Sequence, residues 1–268
     1  MTDYPRLFDL SGRIALVLGA ASGIGRASAE ALGALGAHVI VADRDQAGAE
    51  ATAAAIAAGG SAEAFVCDAS RGEDFARLAR HVAARHERLD VALTTPGLNI
   101  RKTILEYTED EFDRVVTLNL KGTFRFFRCF GRMMQPHGRG SLIACSSIRA
   151  RTIEPGLGVY GMTKAGIETL VKGFAAEMGP SNVRVNAIAP SIIETALTRP
   201  IKERPEIHRT YAAHTVFGRW GGASEVAAAV AFLAADASSY ITGSTLSIDG
   251  GWMAIDGPPT GLTGTRPN

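Results

Sequence analysis

Tyr160 and Lys164 stand four residues apart. On a helix that spacing is about 40° around the axis, so one cation can act on one phenol. A phenol with a reference pKa of about 10 is a poor base at neutral pH, and a neighbouring ammonium favours the phenolate, the form that accepts a proton. The pair alone is common by chance and would equally suit a packed ring beside a solvated charge. Its company narrows the reading: Ser147 precedes Tyr160 just after a strand-like run, and Asn119 lies inside a long amphipathic segment upstream.

A second constellation sits near the start of the chain. A short apolar run ends in Gly19-Ala20-Ala21-Ser22-Gly23-Ile24-Gly25 and continues into the helix-like Arg26-Ala27-Ser28-Ala29-Glu30. Glycines there allow backbone to approach a pyrophosphate at a helix N-terminus, where unpaired N–H groups and the helix dipole favour an anion. Asp43, at the end of the next strand-like run, is placed to accept hydrogen bonds from adenosine ribose hydroxyls and to repel a 2′-phosphate. Arg44 cuts the other way, since it could meet that phosphate. The balance favours NAD over NADP, with Gly19, Ser22, Gly23, Ile24, Gly25, Asp43 and Arg44 as cofactor-binding residues.

These groups need a scaffold that sets strand ends beside helix starts. Seven strand candidates supply it, at Arg13–Leu18, His38–Ala42, Ala64–Cys67, Asp90–Thr94, Ser141–Cys145, Arg184–Ile188 and Thr245–Ile248, all apolar enough to be covered on both faces. Helices fit between them. Thr108-Glu109-Asp110-Glu111 is a capping-box start to an apolar pattern running to about Met134, and Gly59-Gly60 is a stop. The alternation predicts an α/β fold: one Rossmann-type, doubly wound, seven-stranded parallel sheet with helices on both faces. No repeat or linker divides residues 1–251, read as one dinucleotide-binding and catalytic domain. Within it, residues 191–215 have little clean periodicity and read as a substrate lid, and residues 252–268, rich in Gly, Pro and Thr, as an extended tail.

Composition excludes several classes. The 268 residues carry 28 Lys+Arg against 27 Asp+Glu, with 46% apolar residues, which describes neither a disordered chain nor a strongly basic nucleic-acid binder. The longest apolar run, Val226 to Ala235, is ten residues, too short for a bilayer, and the N-terminus lacks the layout of a signal peptide, so a cytoplasmic protein without membrane or nucleic-acid partners is expected. Cys67, Cys129 and Cys145 lack a Cys-x-x-Cys pair and read as reduced, buried thiols. The six histidines show no His-x-x-x-His spacing, so no metal is expected. Arg114, Lys121, Arg125, Arg128 and Arg132 recur at helical spacing and read as a solvated helix face or the rim of a subunit interface.

From Leu10 to Gly251 the chain resembles the short-chain dehydrogenase/reductase family. The resemblance rests on Gly19-x-x-x-Gly23-x-Gly25, Asp68, Asn119-Leu120-Lys121-Gly122, Ser146-Ser147, Tyr160-x-x-x-Lys164, Arg184-Val185-Asn186-Ala187-Ile188-Ala189-Pro190, Thr195 and Ile248-Asp249-Gly250-Gly251. It implies that Tyr160 transfers the proton, Ser147 orients the reacting oxygen, Lys164 binds the nicotinamide ribose and tunes Tyr160, and Asn119 helps hold a proton-relay water. It also implies adenine contact by Asp68 and carboxamide contacts by Ile193 and Thr195, with Pro190 beside them, and a homotetramer. The surplus of apolar residues from Val116 to Phe130 agrees with assembly. One departure stands out. Thr94-Thr95-Pro96-Gly97 replaces the family's Asn-Asn-Ala-Gly, so the usual carboxamide bridge to neighbouring backbone is expected to be missing.

The function expected is an NAD-dependent oxidoreductase interconverting a secondary alcohol and a ketone. Arg101, Arg149, Arg151 and His214, on loops that open toward the ligand crevice, suit a small carboxylate-bearing or polyhydroxylated substrate such as a sugar acid or polyol. The alternatives are an NADPH-dependent ketone or 3-oxoacyl-thioester reductase and, because of the altered Thr94–Gly97 segment, a non-catalytic dinucleotide-binding protein.

Overall fold

Strands form where β-branched and aliphatic runs are buried from both sides. A computed structural model describes residues 2–195 and 198–255. Its seven-stranded parallel sheet comprises β1 (Ile14–Leu18), β2 (His38–Asp43), β3 (Ser61–Val66), β4 (Val91–Thr94), β5 (Gly140–Cys145), β6 (Val183–Pro190) and β9 (Thr245–Ile248). The spatial order is β3-β2-β1-β4-β5-β6-β9, so the winding reverses between β1 and β4. Two further strands, β7 (Ile193–Glu194) and β8 (Gly221–Gly222), pair in a separate small ladder.

Alternation along the strands divides the core in two. Leu16 and Leu18 pack on one face with Leu78, Phe126 and Phe130, while Ala15 and Val17 pack on the other with Leu32, Val226 and Val230. Helices α3 (Gly72–Arg85), α5 (Gly122–Met134) and α6 (Gly158–Met178) cover the first face. Helices α1 (Gly23–Ala34), α2 (Gln46–Ala57) and α9 (Ala223–Ala234) cover the second. Phe126, Phe127 and Phe130 are fully buried, with Phe127 stacked on Phe174 at 5.6 Å between centroids.

Three expectations change. The third strand lies at Ser61–Val66 rather than Ala64–Cys67, and it is only partly buried, because as the edge strand of the sheet it has no neighbour along its outer side. The predicted continuous helix from Thr108 does begin with a capping box, but α4 (Glu109–Val116) passes into a π turn at Thr117–Lys121 before α5 resumes. Of residues 191–215, those described beyond β7 include α7 (Arg199–Lys202) and α8 (Pro205–His214), the second started by a proline whose missing N–H costs a helix nothing in its first turn. Of the expected tail, Trp252 is buried in a short 3-10 turn, Trp252–Ala254, and residues 256–268 lie outside the described residues.

Among the described residues no helix is long and apolar enough to cross a membrane. The three cysteines are free; Cys67 is buried, and burial with the nearby Asp74 and Asp68 carboxylates pushes its thiol up to about 12. Of the basic stripe, Arg114, Lys121, Arg128 and Arg132 are exposed, while Arg125 turns inward and donates to the Ser70 carbonyl at 2.8 Å. Because the phenylalanine cluster sits between α5 and the sheet, Phe130→Ala is expected to lower stability by about 3–5 kcal/mol. Urea unfolding with an unchanged m-value measures it, and a loss below about 1 kcal/mol would mean that the cavity collapses.

Candidate active site

The turn after β1 needs its glycines for two physical reasons. Gly19 and Gly23 adopt φ of +87° and +56°, which side chains rarely tolerate, and a Cβ on Gly25 would strike the Gly19 carbonyl. Helix α1 therefore starts directly against the turn. Its first N–H groups have no intrahelical partner, and the Ser22 side chain does not fold back to cap them. They remain available to an anion. Asp43 braces the same turn: its Oδ2 accepts from Ala21 N at 2.9 Å and its Oδ1 from Asp45 N at 3.0 Å.

A crevice of about 350 Å³ opens beyond these strand ends. Nine of the expected cofactor residues line it, namely Gly19, Ser22, Gly23, Ile24, Gly25, Asp43, Arg44, Asp68 and Thr195. Burial pushes the Asp68 carboxyl up, but hydrogen bonds from Ser70 N and Oγ, with the charges of Arg44 and Arg71, hold it below its ordinary value. Thr195 reaches the phosphate turn, its methyl 3.3 Å from where a Gly23 Cβ would be. The Ile193 side chain is buried in the core, and Pro190 closes β6 beside Ser147. A glycine cradle, open helix N–H groups and a carboxylate at the end of β2 are the parts a dinucleotide needs, so the residues present fit that cofactor.

The expected gap at Thr94–Gly97 is filled differently. Thr95 N donates to Leu18 O at 3.0 Å, and the Thr95 hydroxyl lies 3.1 Å from both the Leu18 and Gly19 carbonyl oxygens. A hydroxyl performs the cross-strand tie expected of a carboxamide, so the bridge is present.

Asn119, Tyr160 and Lys164 are linked to one another next to residues that line this crevice, and Ser147 follows the lining residue Cys145 by two positions. Asn119 is fully buried in the π turn, which adds one residue to a helical turn and swings the amide off the helix register. Its Oδ1 accepts from Leu98 N at 2.7 Å, and its Nδ2 donates to Leu98 O at 2.9 Å and Thr163 Oγ1 at 3.1 Å. Thr163 in turn donates to the Tyr160 carbonyl at 2.7 Å. Lys164 is 2% exposed; its Nζ donates to Cys145 O at 2.7 Å and lies 5.6 Å from the Tyr160 ring centroid. Both Lys164 Nζ and Asn119 Oδ1 lie within 4 Å of where a Gly97 Cβ would be, at the crevice wall. Ser147 caps the 3-10 turn Ile148–Ala150 by accepting from Arg149 N at 3.2 Å, with Pro190 O at 3.5 Å from its Oγ. Gly161 lets that turn close on α6, since a Cβ there would meet the Arg149 carbonyl at 2.8 Å.

The four residues expected at the substrate separate. Arg101 and Arg149 converge on Glu154: Arg101 Nη2 lies 2.6 Å from Oε2, Arg149 pairs with Oε1, and the Tyr211 hydroxyl donates to Oε2 at 2.7 Å. They are thus half-neutralised rather than free cations. Burial pushes the Glu154 carboxyl up, but Tyr211, Arg149 and Arg101 hold it below the ordinary range. His214 packs at a tilt against Trp252, 4.2 Å between centroids, with the Arg149 guanidinium 5.0 Å from the same indole. Arg151 does not join them, being drawn 3.2 Å from Glu168 on α6 and toward Ser247 of β9. Glu154, Tyr211 and Trp252 are absent from the residues expected from sequence, because an acid in a loop and two aromatics far down the chain carry no spacing that announces a shared pocket.

A family model described as enoyl-(acyl carrier protein) reductase matches residues 19–253. The galactitol 2-dehydrogenase (L-tagatose-forming) of Cereibacter sphaeroides is 34% identical over 93% of this chain and 98% of its own. A 3-oxoacyl-(acyl-carrier-protein) reductase of Thermotoga maritima is 32% identical over 90% and 98%. Among solved structures, a gluconate 5-dehydrogenase from Burkholderia cenocepacia J2315 in complex with NADP and tartrate superposes with a TM-score of 0.90 at 28% identity, over 94% of this chain and 99% of that one.

Thr95→Val keeps the shape of the side chain and removes the hydroxyl, leaving the Gly19 carbonyl short of a donor. Stability should fall by about 1–3 kcal/mol, with weaker dinucleotide binding. Thermal unfolding and calorimetric NAD titration measure both, and unchanged values would show that the hydroxyl ties nothing.

Proposed function

The chain belongs to the short-chain dehydrogenase/reductase family, and on that premise we propose that it is an NAD-preferring dehydrogenase interconverting a secondary alcohol and a ketone on a sugar acid or polyol. The observation that carries the chemistry is the Tyr160–Lys164 pair one turn apart on α6, its ammonium tied to the carbonyl of the crevice-lining Cys145, with Ser147 two residues beyond that cysteine at the end of β5. The bound nicotinamide supplies the hydride acceptor.

In the oxidative direction Tyr160 accepts the substrate hydroxyl proton while Ser147 Oγ donates to the same oxygen and fixes it. Lys164 Nζ lies 5.6 Å from the phenol ring centroid and, with one N–H given to Cys145 O, has N–H groups to spare for a ribose hydroxyl. Asn119, with both amide hydrogens committed to Leu98 and Thr163, retains a lone pair on Oδ1 for a water behind Lys164. Gly19, Ser22, Gly23, Ile24 and Gly25 would hold the pyrophosphate, Asp43 the adenosine ribose and Asp68 the adenine, all of them lining the crevice with Thr195, and the carboxamide would fall to Thr195 with Pro190 and Ile193 of the neighbouring segment.

Asp43 supports NAD, because its carboxylate would face a 2′-phosphate in a half-buried position; Arg44, exposed on the crevice rim, supports the NADPH-dependent ketone or acyl-thioester reductase as second reading. A non-catalytic dinucleotide binder loses its motive once Thr95 is seen to replace the missing bridge. For the substrate, two arginines sharing one carboxylate leave a net positive charge with fixed donors beside an indole and an imidazole. That combination favours a small anionic polyol over an apolar chain. Residues 191–215 act as its lid, and exposed Phe112, Phe124 and Met162, with the charged stripe at their rim, support a homotetramer. Free thiols fit the cytoplasm.

Tyr160→Phe is expected to bind NAD nearly as the native protein does and to turn over slower by at least ~100-fold; near-native turnover would refute the assignment. Absorbance of NADH across sugar acids, polyols and cyclic alcohols ranks substrates, and Asp43→Ala should move the kcat/KM ratio toward NADP. A second check concerns the lid. NAD with a substrate analogue should slow hydrogen exchange in residues 198–215, whereas full protection without ligand would make the segment a fixed wall.

A further inference from the structure

The end of the sheet opposite the crevice carries a second cluster of chemistry-bearing groups. His38 opens β2 directly beside Ser61 of β3, and Glu63 follows two residues later, so all three side chains leave the same face. Helix α3 covers that face and contributes His81, Arg85 and, at its C-terminal cap, His86. Glu63 is the hub. Its Oε1 lies 3.0 Å from His86 Nε2 and 3.7 Å from His38 Nε2, while its Oε2 lies 3.2 Å from both His81 Nε2 and Arg85 Nη1.

The geometry is that of ligands rather than of a finished hydrogen-bond network. One donor atom each from His38, Glu63 and His86 lies within 4.8 Å of the others. A tetrahedral ion with bonds of about 2.0–2.1 Å needs its ligand atoms about 3.3–3.4 Å apart, and the two Glu63 Oε1 distances of 3.0 and 3.7 Å bracket that value. His38 Nε2 is buried without any hydrogen-bond partner. Its other nitrogen, Nδ1, sits 2.7 Å from Ser61 Oγ, so with Nδ1–H donated to Ser61 the Nε2 lone pair is left facing a carboxylate. In that tautomer two acceptors face each other and a proton or a metal cation must lie between them; at 3.7 Å the gap is longer than a hydrogen bond, which leaves room for the metal.

We propose that His38, Glu63 and His86 form a binding site for a divalent ion of the zinc class, with Ser61 orienting His38, His81 and Arg85 steadying the far oxygen of Glu63, and the fourth position open to water. Two imidazoles and one carboxylate are a donor set such ions prefer over magnesium or calcium. Five residues of β2 separate His38 from Asp43, about 16 Å at strand rise, so the ion would not touch the reacting groups. Its effect would be to clamp the edge strand β3 to β2 and α3.

The full-length protein, without an affinity tag and dialysed against chelator, tests this with Co²⁺ and Zn²⁺ alone. One Co²⁺ per chain is expected, with the visible bands of a tetrahedral ion, displaced by Zn²⁺, and with a higher Tm when loaded. His38→Gln and His86→Gln should each weaken Zn²⁺ affinity by more than the ~100-fold ceiling of an outer-shell change, and Ser61→Ala by about 10–100-fold. Alcohol-dependent reduction of NAD by these variants without added metal should match the native rate. Absence of stoichiometric binding to the native protein overturns the proposal. So does native-like affinity in Ser61→Ala together with either folded histidine variant, which would leave a cluster that exchanges only protons.

Discussion

Helices leaving β1 and β4 go to opposite faces of the sheet, α1 joining the core around Val226 and Val230 and α5 the core around Leu78 and Phe130. A gap opens where neighbouring strands send their chains apart, and that gap is the ligand crevice. It must also be held to a fixed width, because the Gly19 turn on one bank and the Pro96–Gly97 loop on the other belong to segments far apart in sequence. The Thr95 hydroxyl, within 3.1 Å of the last carbonyls on the β1 side, is the tie across the gap, and a Cβ on Gly19 would collide with it. Width of the crevice, placement of the phosphate turn and absence of a side chain at position 19 are therefore one constraint.

A second tie runs from that bank to the reacting groups. The loop after β4 is clasped by the Asn119 amide through both the N–H and the carbonyl of Leu98, and the same amide reaches Thr163, which holds the carbonyl of Tyr160. Lys164 is pinned one turn later to the end of β5. The π turn supplies this geometry: a regular α-helix through residues 117–121 would rotate Asn119 by a fraction of a turn and break the clasp. Preorganisation here comes from backbone partners, which do not reorganise as side chains do.

Most of the sheet was legible because its strands are buried on both faces and so carry uninterrupted apolar runs; five of the seven candidate segments match the observed strands almost end to end, and a sixth, Arg184–Ile188, lies inside the longer Val183–Pro190. The edge strand β3 escaped that logic. Its first residues, Ser61 and Glu63, are polar because one side meets solvent and the histidine cluster, so the apolar run pointed only to its second half. The phosphate turn and the Tyr160–Lys164 pair were legible from local spacing. The π turn was not, since residues 109–134 read as helix by any period near 3.6, and what inserts the extra residue is packing against Leu98 and Thr163. Nor was the pairing of Arg101 and Arg149 with Glu154, which turned an expected free positive patch into a half-compensated one.

Long-range parallel register explains why chemistry gathered at both ends of this sheet while only one end announced itself. At the C-terminal ends, ligand-binding groups cluster within short stretches such as residues 19–25 and 160–164, because each strand delivers its chain directly into a helix start. At the N-terminal ends, each chain arrives from a helix that began after the previous strand, so neighbours in space such as His38, Glu63 and His86 stand a whole crossover apart in sequence. A search by local ligand spacing finds the first kind of site and passes over the second. In a doubly wound fold the positions that face one another across β2 and β3 are set by crossover length, and a polar residue at an otherwise apolar strand start, as at His38, is the sign that its neighbour one crossover later should be read with it.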